Sequence, residues 1–193
     1  MLGRAGAAVL VGLCCLVSGC SGGDPPPSNP TVTTSTSGVA TTTAAPSTTI
    51  PPTGAPVLPD AARQQTPEGA EAFVRHWYAT LEYSWRVMQS APIRTLGECL
   101  SCANYADTID AVAADGKRIV GGDITVNLAD GTVTGQSTAA TVAAVISASE
   151  QTVQDSAGAQ VAVLSEDLAN SQFLFDLSWQ ADTWSVTSIR IVE

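Results

Sequence analysis

The spacing of the apolar residues changes at Gly116 from a helical period to a strand period. Before this glycine, apolar side chains such as Phe73 and Trp77 recur every four residues, which is typical of one face of an amphipathic helix. After it, apolar and polar residues alternate, as around Ile124 and Val126, which is the period of a half-buried strand. Because the helices precede the strands instead of alternating with them, the predicted fold class is α+β, with helices packed on a curved antiparallel sheet.

Three helices are predicted in the first half of the domain. The first begins at Thr66, which can cap the free amides, and continues with Pro67, which suits the first helical position. It ends near residues 90–92, and two shorter helices are predicted at residues 93–96 and 101–114.

The second half of the domain is predicted to form antiparallel strands. Asp130-Gly131 is typical of a two-residue hairpin turn, and residues 165–172 are predicted to be a loop. In the last strand the apolar face switches between Val186 and Ile189, which indicates a bulge. The predicted strands are residues 124–128, 138–153, 161–164, 173–179 and 184–192.

The N-terminal residues have the features of an export signal. Arg4 precedes an uncharged, mostly apolar run at residues 5–17, and small residues come directly before Cys20. The run is too short for a transmembrane helix, which needs about 20 apolar residues. Residues 1–19 are therefore predicted to be a signal peptide.

The segment Val17-Ser18-Gly19-Cys20 resembles the bacterial lipobox. This resemblance implies that Cys20 becomes the mature N-terminus and carries a diacylglyceryl group, with acyl chains such as palmitate. Two or three such chains hold a protein firmly, at roughly 0.8 kcal/mol for each buried methylene. The expected localisation is the outer face of the cytoplasmic membrane, in the cell envelope.

Residues 20–65 are predicted to be the lipid anchor followed by a disordered stalk. Ser, Thr, Pro, Gly and Ala dominate this segment, so few apolar side chains are available to offset the entropy of ordering it. Its prolines favour extended conformations, which would hold a domain away from the membrane. The globular domain is predicted to cover residues 66–193.

The acidic composition argues against nucleic acid as a partner. Asp and Glu outnumber Lys and Arg by 18 to 8, for a formal net charge of −10 at pH 7. Binding to nucleic acid depends on cationic side chains that neutralise phosphates.

The single histidine, His76, leaves too few ligands for a zinc site, which needs four. The sequence therefore predicts no metal and no other cofactor.

Cys99 and Cys102 form a C-x-x-C pair in a chain predicted to be exported, where oxidation is favoured. We expect a structural disulfide that fixes the angle between the second and third helices. The alternative is a redox centre, because the pair precedes a helix whose dipole would stabilise a thiolate. Against this alternative, Glu98 is an unfavourable neighbour for a thiolate, and Cys102 falls on the apolar face of its helix.

Two resemblances to known families follow from these features. Helices followed by strands that close on Trp184-Ser185-Val186 resemble the nuclear transport factor 2-like (cystatin-like) superfamily, a cone of three helices wrapped by a curved sheet. The lipobox, the stalk and the segment TPEGAEAFVRHWYATLEYSW followed by CLSC resemble a family of actinobacterial lipoproteins that carry a domain of unknown function. The second resemblance implies a localisation and a fold but no activity.

The resemblance to the cone fold implies an apolar pocket between the first helix and the sheet. The alternative is that the same aromatic side chains simply fill the core. The candidate pocket-lining residues are Trp77, Tyr78, Trp85, Tyr105, Phe175 and Trp179.

The sequence contains no recognisable catalytic set, because it has one histidine and no nucleophile motif such as G-x-S-x-G. The expected function is therefore a non-enzymatic binding or scaffolding domain, held at the membrane through Cys20. Its partner would be a protein, a cell-wall polymer or a small apolar ligand. The alternatives are a pocket enzyme of the isomerase or dehydratase type and a C-x-x-C thiol oxidoreductase.

Overall fold

The computed structural model describes residues 54–192. The predictions for the signal peptide, for Cys20 and for the stalk up to residue 53 lie outside the described residues. Within residues 54–192, helices are followed by antiparallel strands, so the α+β prediction is confirmed at that level. The helices are α1 (Pro67–Val87), α2 (Ala91–Arg94) and α3 (Leu100–Ala114). The strands are β1 (Arg118–Gly121), β2 (Ile124–Thr134), β3 (Ala139–Ala148), β4 (Gln151–Gln154), β5 (Gln160–Ser165), β6 (Leu168–Gln180) and β7 (Thr183–Val192).

Helix α1 begins as the sequence predicts. The Thr66 side chain accepts a hydrogen bond from the Gly69 amide at 3.1 Å, and Pro67 occupies the first helical position. The helix ends at Met88, whose φ of 54° lies in the left-handed region that terminates many helices. Its buried face packs mainly on β2, so this helix lies across the larger sheet.

The strands form two antiparallel sheets, in the orders β2-β3-β6-β7 and β1-β4-β5. The chain passes from the larger sheet to the smaller one between β3 and β4, and it returns between β5 and β6. The strand predicted at residues 138–153 is therefore two strands. Residues beyond Ala148 leave the neighbours of β3 and pair instead with β1 and β5.

Asp130-Gly131 is not a hairpin turn, so this prediction is wrong. Both residues lie within β2, where they pair with Ala143 and Val142 of β3. The turn between these strands lies at residues 135–138, three of which have positive φ.

Gly131 is needed because β2 passes close to the start of α1. A Cβ at this position would lie 2.7 Å from the Pro67 carbonyl oxygen, which is too close for two unbonded atoms. The Gly131 amide also donates a hydrogen bond to the Glu71 carboxylate at 2.9 Å. Gly131 therefore allows β2 to lie close to α1, and it does not reverse the chain.

Two features near the end of the chain also bear on the sequence predictions. The predicted loop at residues 165–172 is shorter than expected, because β6 begins at Leu168. The bulge predicted in the last strand is confirmed, since the consecutive residues Asp176 and Leu177 face Ser188 and Val186.

The last residues of the predicted stalk belong to the domain. Asp60–Arg63 form a 3-10 helix, and Ala62 within it is fully buried. The Trp184 indole N–H donates a hydrogen bond to the Gln64 carbonyl oxygen at 3.0 Å, and Leu58 packs against the core. The prediction of disorder up to residue 65 is therefore wrong for this part, because the segment fills a place beside β7 and α1.

Substitution of Ala62 tests the corrected boundary. Ala62→Asp places an unpaired charge at a fully buried position, so we expect the free energy of unfolding to fall by at least about 2 kcal/mol. The matched control is Ala61→Asp, at the exposed neighbouring position, which should change it by no more than about 0.5 kcal/mol. Urea unfolding measures both. Equal stability of the two variants would contradict the packed position of this segment.

Candidate functional site

A cavity of about 460 Å³ lies between the helices and the strands. Its wall comes from α1 and α3 on one side and from strands of both sheets on the other. The lining residues are Tyr78, Leu81, Trp85, Tyr105, Thr108, Gly122, Ile124, Ile146, Ala148, Ser149, Gln151, Leu164, Ser165, Leu168, Ser171, Phe173 and Ile191. Small-molecule sites typically measure about 300–1,000 Å³ and are mostly apolar, so the volume and the lining fit that class.

The apolar part of the wall follows from the periodicity of each element. Tyr78, Leu81 and Trp85 are three and four residues apart, so they share one face of α1. Ile146 lies on the inward face of β3, and Phe173 contributes from β6, which pairs with it. Both strands alternate buried and partly exposed side chains here, which directs one set of side chains toward α1.

Two residues that line the cavity each have a buried polar atom without a hydrogen-bond partner, namely the Tyr78 hydroxyl and the Gln151 Nε2. Burial, with a further contribution from Tyr105, raises the pKa of Tyr78 far above its usual range, so the phenol stays protonated. Burial also raises the pKa of Tyr105. Other buried polar atoms that lack a partner in the described part of the chain belong to Trp77, Ser84 and Thr183, which do not line the cavity.

The cavity wall carries no charged side chain and no histidine among the described residues. His76 is buried elsewhere on α1, where its Nε2 lies 3.4 Å from the Thr80 hydroxyl, and burial lowers its pKa. Glu82 lies beside the wall, because its carboxylate accepts a hydrogen bond from the Ile124 amide at 2.8 Å. Burial raises the pKa of Glu82, and this effect exceeds the lowering by the Ile124 amide and by Arg86.

Three of the predicted pocket residues line the cavity and three do not. Tyr78, Trp85 and Tyr105 belong to the wall. Trp77 and Phe175 are 1% and 0% exposed, and their rings meet edge to face with centroids 5.3 Å apart, so they fill the core. Trp179 packs against Trp184 with ring centroids 5.1 Å apart, away from the cavity. The core-filling alternative therefore holds for Trp77 and Phe175, whereas Trp179 is partly buried and packs against the core.

Sequence reasoning missed most of the wall that the strands contribute. The alternation along β3 could have identified Ile146 as an inward-facing neighbour of α1. No sequence signal identifies Gln151 or Leu164, because they reach the cavity only after the chain changes sheets.

A disulfide joins Cys99 and Cys102, with their Cα atoms 4.9 Å apart. Cys99 is the N-cap of α3, and its sulfur accepts a hydrogen bond from the Cys102 amide at 3.0 Å. Both cysteines are at most 5% exposed. Gly97 and Leu96 lie beside this bond, and the Leu96 carbonyl oxygen accepts a hydrogen bond from the Val186 amide at 2.9 Å. The disulfide therefore lies where the α2–α3 connection meets β7, which fits a structural role.

Neither a membrane-spanning helix nor a metal-ligand cluster is found within residues 54–192. No helix there is both long enough and apolar enough to cross a bilayer. No group of three or more His, Cys, Asp or Glu side chains in that range lies close enough together to hold a metal ion.

These features define an α+β domain with an apolar cavity between helix α1 and its sheets. The chain belongs to a family of unknown function, DUF6318, whose sequence profile matches residues 39–190. This family membership agrees with the domain of unknown function that was expected from the sequence segments TPEGAEAFVRHWYATLEYSW and CLSC. No curated protein matches the sequence.

The solved structures that are similar to this chain include the following two. The intermembrane space region of the chloroplast protein ARC6 has 15% identity and a TM-score of 0.49, over 67% of this chain and 98% of that one. A domain of unknown function with a cystatin-like fold from Nostoc punctiforme has 14% identity and a TM-score of 0.37, over 64% of this chain and 74% of that one. With TM-scores under 0.5, neither likeness carries an argument about function.

The opposite pKa shifts of His76 and Glu82 predict opposite effects on stability as the pH falls. His76 has a lowered pKa in the fold, so its contribution is lost as the pH drops below the unfolded value of about 6.5. Glu82 has a raised pKa, so its protonation stabilises the fold as the pH falls through that raised value. His76→Gln should therefore flatten the decline of stability on acidification, and Glu82→Gln should make it steeper.

Urea unfolding at pH 7.5, 5.5 and 4.5 measures these slopes. Glu98→Gln serves as the control, because Glu98 is exposed and remote from the cavity wall on α1. A wild-type pH slope in the His76→Gln variant would contradict the burial of the neutral imidazole.

Proposed function

We propose that this chain is a lipid-anchored envelope protein whose domain binds a small apolar ligand in the cavity and performs no chemistry on it. The cavity is the observation that carries the proposal. It combines a volume of about 460 Å³, a largely apolar wall and two lining residues whose buried polar atoms lack a hydrogen-bond partner. Binding to a protein or a cell-wall polymer is the less favoured form, since neither needs an internal cavity.

The chemistry of the wall favours binding over catalysis. General acid–base catalysis works best with a group whose pKa lies near the working pH. The titratable groups in the wall are Tyr78 and Tyr105, and burial moves the pKa of each further from neutrality. His76 and the carboxylate of Glu82 lie outside the wall. An isomerase or dehydratase site is therefore poorly supported.

The proposal of a lipid anchor is supported by the sequence alone. The lipobox-like segment ends at Cys20, and the Ser/Thr/Pro-rich residues after it suit a stalk. This arrangement would hold the domain outside the cytoplasmic membrane, as in the actinobacterial lipoproteins that the sequence resembles. We also propose that the arrangement of α1–α3 and the two sheets is the nuclear transport factor 2-like cone.

The anchor is tested by substituting the lipidated cysteine. We expect Cys20→Ala to abolish incorporation of a clickable palmitate analogue and to shift the protein out of the lipid-modified membrane fraction. Cys14→Ala and Cys15→Ala are matched controls, because both residues lie in the predicted signal peptide and should leave labelling unchanged. Persistent labelling of Cys20→Ala would disprove this assignment.

The cavity is tested by filling it. The chain from residue 20 onward, carrying Cys20→Ser so that no acyl chain competes, is titrated with an uncharged environment-sensitive dye. Ala148→Phe places a ring in the wall and should lower the dye affinity by about tenfold or more. Ala143→Phe places the same ring on the opposite face of β3 and should have little effect. Equal dye affinity in the two variants would contradict ligand binding in this cavity.

A further inference from the structure

We infer that the cavity selects an uncharged amphiphile, a molecule with an apolar body and a hydrogen-bond acceptor oxygen at one end, such as an ester. The inference rests on the proposed function and adds the class of ligand to it. Two observations carry it: the unpaired polar atoms in the wall and the distribution of charge around it.

The unpaired polar atoms call for an acceptor on the ligand. Leaving a buried donor without a partner costs about 1–3 kcal/mol, so such groups are uncommon unless something else satisfies them. Tyr78 is 4% exposed, and its hydroxyl keeps its proton and can donate it. The Gln151 Nε2 carries two N–H donors and no lone pair that accepts. A ligand oxygen that reaches either atom would satisfy that donor.

The Gln151 amide lies close to the backbone at Gly122. A Cβ on Gly122 would lie 2.6 Å from the Gln151 Nε2 and 3.2 Å from the Trp85 ring. Gly122 also has a φ of 76°, which a glycine adopts without strain. This glycine therefore leaves room for the amide to sit beside the aromatic wall of α1.

The charges near the wall are mostly negative, which disfavours an anionic ligand. Glu82 accepts from the Ile124 amide, and Asp123 donates its amide to the Ser149 hydroxyl at 3.0 Å. Both Ile124 and Ser149 line the cavity. Asp167, next to the lining residue Leu168, accepts a hydrogen bond from the Glu150 amide. A carboxylate head in the cavity would lie near these acidic groups and would find no cation in the wall.

The nearest basic side chains do not compensate. Arg190 precedes the lining residue Ile191, but its guanidinium pairs with Asp176 at 2.9 Å. Arg86 follows Trp85 on α1 and acts on Glu82, whose pKa it lowers less than burial raises it. A cationic head is disfavoured for a different reason, because both unpaired groups are hydrogen-bond donors, with which a cation cannot pair.

The apolar body of the ligand would lie against the open side of the wall. Ile191 is 71% exposed and Leu164 is 39% exposed, although both line the cavity. Covering such side chains stabilises a complex by about 25 cal/mol for each Å² removed from water. The rim therefore offers apolar contact to a ligand, whereas the polar contact lies at Tyr78 and Gln151.

The test compares four probes that share one alkyl chain: methyl octanoate, octanoate, octyltrimethylammonium and octane. Calorimetry and chemical-shift mapping are done with the chain from residue 20 onward carrying Cys20→Ser. We expect methyl octanoate to bind most tightly and the two charged probes to bind at least tenfold more weakly. Tyr78→Phe should weaken methyl octanoate roughly three- to tenfold and leave octane unchanged.

Two further variants complete the design. Tyr83→Phe is the matched control, because this tyrosine lies on α1 outside the wall and should not alter any affinity. Gln151→Leu removes the second donor, which lies on strand β4 and not on a helix. Like Tyr78→Phe, it should weaken the binding of methyl octanoate and leave the binding of octane unchanged. It keeps the test decisive if Tyr78→Phe does not fold.

The outcomes separate the two proposals. If octane binds but the ester gains nothing over it, or if octanoate binds as tightly as the ester, the ligand class is wrong and cavity binding stands. If none of the four probes binds, the proposed function fails and the ligand class with it. Shifts confined to residues outside the cavity wall would also overturn both.

Discussion

The packing of Trp77 connects helices α1 and α3 to the larger sheet. Its ring is 1% exposed and meets Tyr78, Tyr105 and Phe175 edge to face, with centroids 5.2, 5.8 and 5.3 Å away. These contacts connect α1 to α3 and to β6, so one side chain links both helices to the larger sheet. Edge-to-face pairs contribute about 0.5–1.5 kcal/mol each beyond the area that they bury. The position of α1, and therefore the wall of the cavity, depends on this cluster.

The cavity forms where the strands change sheets. Ile146 and Ala148 lie at the end of β3, and Gln151 begins β4 in the other sheet. On the return, Ser165 ends β5 and Leu168 begins β6. Where the chain passes from one sheet to the other, side chains no longer alternate regularly between the two faces of one sheet, so they do not fill the space against the helix. The space left there is bounded by α1 and supplied with polar groups from the strand ends, which is why the same region carries the proposed ligand site.

Local signals in the sequence predicted the helices better than the strands. The start of α1 was predictable because Thr66 and Pro67 act through contacts within one turn of the chain. The hairpin turn predicted at Asp130-Gly131 was wrong because Gly131 allows β2 to lie close to Pro67. A contact with such a distant residue cannot be predicted from the residues around Gly131. The disulfide was predictable from its spacing, whereas burial of Ala62 depends on packing against the adjacent helix α1 and against β7, which lies far along the chain.

The sequence by itself determined the order of helices and strands, the acidic character and the apolar face of α1, because periodicity and composition are local properties. Of the six aromatic residues that the resemblance to the cone fold implied as pocket lining, Tyr78, Trp85 and Tyr105 line the cavity. Only the tertiary structure decided that Trp77 and Phe175 fill the core and that Gln151 joins the cavity. The reason is physical: whether a buried position borders a void depends on how distant strands pair, and pairing is not encoded by any single stretch of chain.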